Sequence, residues 1–142
     1  MIHFVLIRTR TGKPRLSKWC VPVGTSTKNK VEDEVGKMVA GVKPHSTAFL
    51  EYGNYQIVFR RYAGLHFIVG ADVEDPLLPH YEFIQLFVET LDGYFGNVCE
   101  LDLVFRFDRA LLVLDELLLA GEVAEIDRDA VIALVRAVDK SS

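Results

Sequence analysis

The sequence predicts an α+β fold: a five-stranded, mainly antiparallel sheet flanked by helices, built as one domain over residues 1–142. Three observations predict it. Short β-rich runs are joined by tight turn dipeptides, which makes hairpins and antiparallel pairs. Longer stretches carry apolar residues at helical spacing. No linker, repeat or low-complexity tract divides the chain, whose length is ordinary for one domain.

The first run, "MIHFVLIRTR", places Ile2, Phe4 and Leu6 on one side and Val5 and Ile7 on the other. A strand apolar on both sides is covered on both faces and belongs inside a sheet. "TGKP" supplies a turn, and "RLSKWCVPV" returns as a second strand, which gathers Arg8, Arg10, Lys13 and Arg15 around one hairpin end. "TSTKNKVEDEVGKMVAGVK" opens on capping hydroxyls and repeats Val31, Val35, Met38 and Val42 at helical spacing. Gly36 weakens that helix by up to about 1 kcal/mol relative to alanine, and Gly41 and Pro44 are expected to end it. "STAFLEY", "YQIVFRRY" and "LHFIVGADV" are three strands joined through "GN" and "AG". "EDPLLP" stops the last of them. A long helix is expected from Pro79 to Phe95, with Tyr81, Ile84, Val88, Leu91 and Phe95 as its stripe and Phe83, Phe87 and Tyr94 elsewhere on its surface.

The stretch "GNVCELDLVFRFDRALLVLDELLLAGEV", Gly96 to Val123, is expected to form one or two helices. Leu111, Leu114 and Leu118 mark one face and Leu112, Val113, Leu117 and Leu119 a second, with a break at "AGEV". The last helix, in "DRDAVIALVRAV", carries Val131, Leu134, Val135 and Val138.

Half of the residues are hydrophobic and the mean hydropathy is +0.20. That surplus, on helices apolar on more than one side, points to an obligate partner, whose interface would be more apolar than a transient one. No apolar run reaches the roughly 18 to 20 residues that span a bilayer, and the start does not read as a signal peptide. Cys20 and Cys99 lie in no metal-ligand pattern, so no metal or other cofactor is expected, and reduced thiols are. The net charge is −4, yet Met1 to Val31 holds seven Lys or Arg and no Asp or Glu. The basic start offers a surface to an anionic ligand. Nucleic acid is excluded as that ligand by the overall negative charge and the lack of aromatic interleaving. Glu100 and Asp102 could pair as acid and base, but no nucleophile, phosphate loop or metal set accompanies them, and His3, His45, His66 and His80 are scattered. The protein is not expected to be an enzyme.

The order of elements and the words "GKPRLSKW", "FRRYAGLHF", "YFGNVCELDLVF" and "LDELLLAGEV" resemble the small (sigma) subunits of clathrin adaptor complexes, nearly end to end. "RRYAGL", "NVCELDLVF" and "AGE" are most similar to the endocytic branch of that family, while Gly96 is more similar to the Golgi and endosomal branch. The resemblance implies a longin-like fold and a subunit packed on a large, alpha-type chain within a heterotetrameric core. It implies association with membrane and clathrin through that core, at plasma-membrane coated pits and coated vesicles. It also implies binding of acidic dileucine sorting signals on cargo tails. The matching positions are Ala63, Leu65, Val88, Val98 and Leu103 for the two leucines, Tyr62 and Asn97 beside them, and Arg15 for the acid. Taken without the resemblance, each aliphatic residue in that set reads as ordinary core and Arg15 as a solvated strand end. A longin domain from a membrane-fusion protein and a small chain of another coat complex share the same architecture.

Overall fold

A computed structural model describes residues 1–43, 49–123 and 128–141. Five strands form one sheet: β1 (Ile2–Thr9), β2 (Pro14–Trp19), β3 (Phe49–Tyr52), β4 (Tyr55–Tyr62) and β5 (Leu65–Asp72). Their order is β2-β1-β5-β4-β3, and every neighbouring pair is antiparallel. α1 (Thr25–Ala40) follows β2, and α2 (Leu77–Phe95), α3 (Glu100–Phe105), α4 (Phe107–Val123) and α5 (Arg128–Ser141) follow β5.

The alternation of side chains in β1 divides the core. Phe4 and Leu6 join Val31, Val35 and Val39 of α1, with Ile57, Phe59 and Ile68. Val5 and Ile7 join the opposite cluster, with Val69 and Phe67 of β5, Phe87 and Leu91 of α2, Val113 and Leu114 of α4, and Val135 of α5. The molecule is therefore three layers, with one helix on one face of the sheet and the other helices on the other. β1 is covered on both faces, as its sequence implies.

Close packing explains two glycines. A Cβ on Gly70 would lie 2.1 Å from a carbon of the Phe4 ring, which is itself packed on Trp19 and Tyr55. Gly36 faces Arg8, where a Cβ would come within 2.8 Å of Cδ. The helix gives up propensity at Gly36 to let that guanidinium pass.

Several details differ from the expectations. α2 starts at Leu77 rather than Pro79, because a proline in the first turn removes an N–H that has no helical partner anyway. Its buried face includes Phe87 and Tyr94, while Tyr81 and Phe95 are half-buried. α4 does not break at "AGEV" but runs to Val123, since one glycine costs a helix only ~1 kcal/mol relative to alanine. Its buried side is Ala110, Val113, Leu114 and Leu117, while Leu119 is exposed. In α5 Ile132 is buried in place of Leu134. α1 buries Val39 rather than Met38 and ends at Gly41, and Pro44 and His45 lie outside the described residues. Among the described residues, no helix is long and apolar enough to cross a membrane.

Candidate functional site

Two backbone irregularities mark one end of the sheet. Tyr62 pairs with Leu65, so Ala63 and Gly64 alone make the turn from β4 to β5, and both have positive φ, 53° and 76°. A two-residue hairpin requires that geometry and glycine supplies it without strain, whereas alanine does not. The second irregularity follows α2, where Gly96 and Asn97 both turn left-handed, with φ 67° and 73°. Among the described residues, Ala63 and Asn97 are the only non-glycine positions with positive φ.

Asp92 ties these two places together. Its carbonyl accepts from the Asn97 N–H at 3.0 Å, and its carboxylate accepts from the Val98 N–H at 3.0 Å. The Tyr62 hydroxyl donates to the same carboxylate, which raises the phenol above its ordinary value. One acid thus fixes the chain after α2 and draws it to the end of β4. α3 then begins with Asp102 accepting from the Cys99 N–H at 2.9 Å.

The eight residues singled out from sequence fall into two groups. Leu65, Val88, Val98 and Leu103 come from β5, α2, the α2–α3 connection and α3, and they belong to one buried cluster with exposures of 1–2%. Tyr62 packs on its edge, and Ala63 and Asn97 are exposed at its rim. A cavity of about 440 Å³ opens beside the turn, lined by Tyr62, Ala63 and Leu65 together with Arg10, Arg61 and Val42. Arg15 stands on β2 and bonds Glu100 at the start of α3, with Nη2 2.7 Å and Nε 3.0 Å from Oε1. Lys18 of β2 meets Asp115 of α4 at 3.2 Å.

The basic hairpin is less uniform than its sequence. Arg8 is buried, with Nη1 donating to the Gly12 carbonyl and Nη2 reaching Asp33. It is a structural cation rather than part of an anion-binding surface. Near the cavity, Arg61 donates from Nη2 to the carbonyls of Val39 and Val42, at the C-terminal end of α1. Its Nε donates to His66 Nε2 at 3.3 Å. Burial first, then Arg61 and Arg10, holds His66 below its ordinary pKa, so the ring stays neutral at physiological pH.

Sequence reading missed two residues. Asp92 lies in "ETLDGYFGN" with no motif to distinguish it, and Glu100 reads from sequence only as a possible catalytic acid. The left-handed pair Gly96–Asn97 was the available signal, because such a turn needs a partner for its freed N–H groups.

The helical side also carries exposed apolar surface. Leu101, Phe105 and Phe107 are 63%, 78% and 56% exposed, and Val104 and Leu119 are exposed as well. A separate groove of about 660 Å³, lined by Ile2, Phe83, Leu86, Leu117 and Leu118, lies at the opposite end of β1. None of the eight residues lines it.

Comparison with known proteins gives this geometry a context. All of residues 1–142 match the clathrin adaptor complex small chain. The sequence is 47% identical over 137 residues to the AP-1 complex subunit sigma-2 of Dictyostelium discoideum, covering 96% of this chain and 89% of that one. It is 47% identical over 139 residues to the AP-2 complex subunit sigma of the same organism, covering 98% of each. It is 44% identical over 141 residues to the AP-2 complex subunit sigma of Neurospora crassa, covering 99% of each. The fold matches a chain in a homology model of the full-length AP-3 complex in a stretched open conformation, with a TM-score of 0.82 and 29% identity over 99% of this chain and 95% of that one.

Proposed function

We infer the role of this protein from the premise that the chain belongs to the family of clathrin adaptor complex small chains. It is a non-enzymatic subunit of a multi-chain adaptor complex with a longin-like fold. Beyond that, the reading we propose is the sigma subunit of the endocytic complex. In it, α3 and α4 pack on an alpha-type large subunit, and the end of the sheet binds acidic dileucine signals of cargo tails at plasma-membrane coated pits.

The observation that carries the binding role is that Leu65, which follows the Ala63 turn, shares one buried cluster with Val88, Val98 and Leu103. Two leucine side chains need apolar volume, and burying each is worth roughly 1.5–3 kcal/mol before ordering costs. The four side chains are already buried, so admitting a leucine requires the 96–103 segment or Tyr62 to shift. In this reading exposed Asn97 bonds an extended peptide backbone and Arg15 meets the acid. The exposed Leu101, Phe105 and Phe107 support the docking role, because a surface patch of this kind marks an interface.

A second reading is the corresponding subunit of the Golgi and endosomal complex. Gly96 in "YFGN" favours it, and the 47% identity to an AP-1 sigma chain equals that to the AP-2 sigma chain of the same organism. Identifying the large chain that copurifies with the protein decides between the two.

Titration of the assembled complex with an acidic dileucine peptide tests the binding role. Replacing both peptide leucines with serine is expected to abolish binding. Arg15→Ser is expected to weaken it by at most about fivefold, less at high salt. Equal binding of the serine peptide would refute the role.

A further inference from the structure

We propose that Glu100 is an internal competitor for the acid of an incoming signal, so that recognition at Arg15 exchanges one carboxylate for another. The proposal rests on the dileucine reading above and names a residue that sets its selectivity.

Arg15 has no idle nitrogen. Nε and Nη2 both donate to Glu100 Oε1, at 3.0 and 2.7 Å, and Nη1 donates to the Pro14 carbonyl at 3.0 Å. The partners are 85 positions apart in sequence, so only the fold brings them together. Glu100 sits two residues after Val98 and three before Leu103, on the segment that supplies two of the aliphatic side chains. Its neighbour Asp102 is committed to the Cys99 N–H and is not placed to replace it. An arriving carboxylate must therefore displace Glu100 or crowd beside it, and Coulomb repulsion opposes it in either case. The pair is partly exposed, so the opposition is modest and screened by salt. The acid of a signal then adds little net affinity, because what Arg15 gains from the peptide it gives up from Glu100.

The test uses the assembled complex and two peptides, an acidic dileucine peptide and its counterpart with glutamine in place of the acid. The quantity read is the ratio of their Kd values at low salt. Glu100→Gln is expected to raise the preference for the acidic peptide about two- to fivefold, and the gain should shrink as salt rises. Glu100→Ala should raise it alike, and partial unfolding cannot imitate the change because it weakens both peptides equally. Adding Arg15→Gln to Glu100→Gln should erase the gain. An unchanged ratio in both Glu100 variants, with wild type binding normally, would overturn the proposal, as would a gain that survives Arg15→Gln. Failure of the wild-type complex to bind either peptide would instead overturn the dileucine reading and this proposal with it.

Discussion

The two faces of the sheet are finished to different degrees. On one, α1 lays Val31, Val35 and Val39 on Phe4, Leu6, Ile57, Phe59 and Ile68, and its outer surface is mostly polar. Trp19 Nε1 donates to Glu32, and the Tyr52 hydroxyl donates to Glu34, so aromatic edges are tied to the helix as well. On the other, α2 to α5 bury a larger cluster yet leave Leu101, Phe105 and Phe107 exposed. The same side carries the left-handed Asn97 and the partly exposed Arg15–Glu100 pair, while the cavity beside Ala63 opens toward the end of α1. A closed face buries its apolar residues within the chain. An unfinished face, with backbone strain at its edge, is where a subunit meets other chains.

The largest expected effect breaks the unfinished face. Phe105→Ser with Phe107→Ser should leave the fold intact, since both rings are exposed. It should weaken assembly with the large subunit by about 3–6 kcal/mol, the value of burying two aromatic side chains, as read by pull-down or calorimetry. The next breaks the closed face. Gly70→Ala drives a methyl into the Phe4 ring and should lower unfolding stability by about 1–3 kcal/mol, without a direct effect on peptide contacts. Urea denaturation of the variant measures it.

The smallest effect lies in pH. His66 has its folded pKa lowered, so near neutral pH the ring is uncharged in both folded and unfolded states and carries no linkage penalty. As pH falls below about 6.5, the unfolded chain takes up a proton that the folded chain refuses. Stability then drops until the folded pKa is passed. Stability curves of the wild type and His66→Gln should therefore converge or cross as the pH is lowered through that window. Parallel curves would show that His66 is not held neutral.

Most of the fold is legible in the sequence, and the reasons are local. "GN" and "AG" mark hairpins, and β1 is apolar on both sides because both of its faces are covered. Helix faces are harder to read. In α4 the leucines Leu112 and Leu119 fall on the stripe of Asp108, Asp115 and Glu116, so the spacing of the charges, rather than that of the leucines, tells that Val113 and Leu114 go in while Leu119 stays out. The exposed remainder, Phe107 and Leu119, is part of the apolar surplus already visible in the composition. The site is legible mainly through resemblance, because its aliphatic residues look like core and in this structure are buried as core. Its organisation is not legible at all. Asp92 acts through hydrogen bonds to Tyr62, 30 positions away, and Arg15 meets Glu100 across 85. No local pattern encodes such pairs.

Hydrogen–deuterium exchange of the assembled complex, with and without an acidic dileucine peptide, tests the account most directly. Added peptide is expected to slow exchange at residues 62–65 and 97–105, on the unfinished side, and to leave α1 unchanged. Saturating peptide that protects α1, or the groove around Phe83 and Leu117, while leaving residues 62–65 and 97–105 as they were, would contradict it.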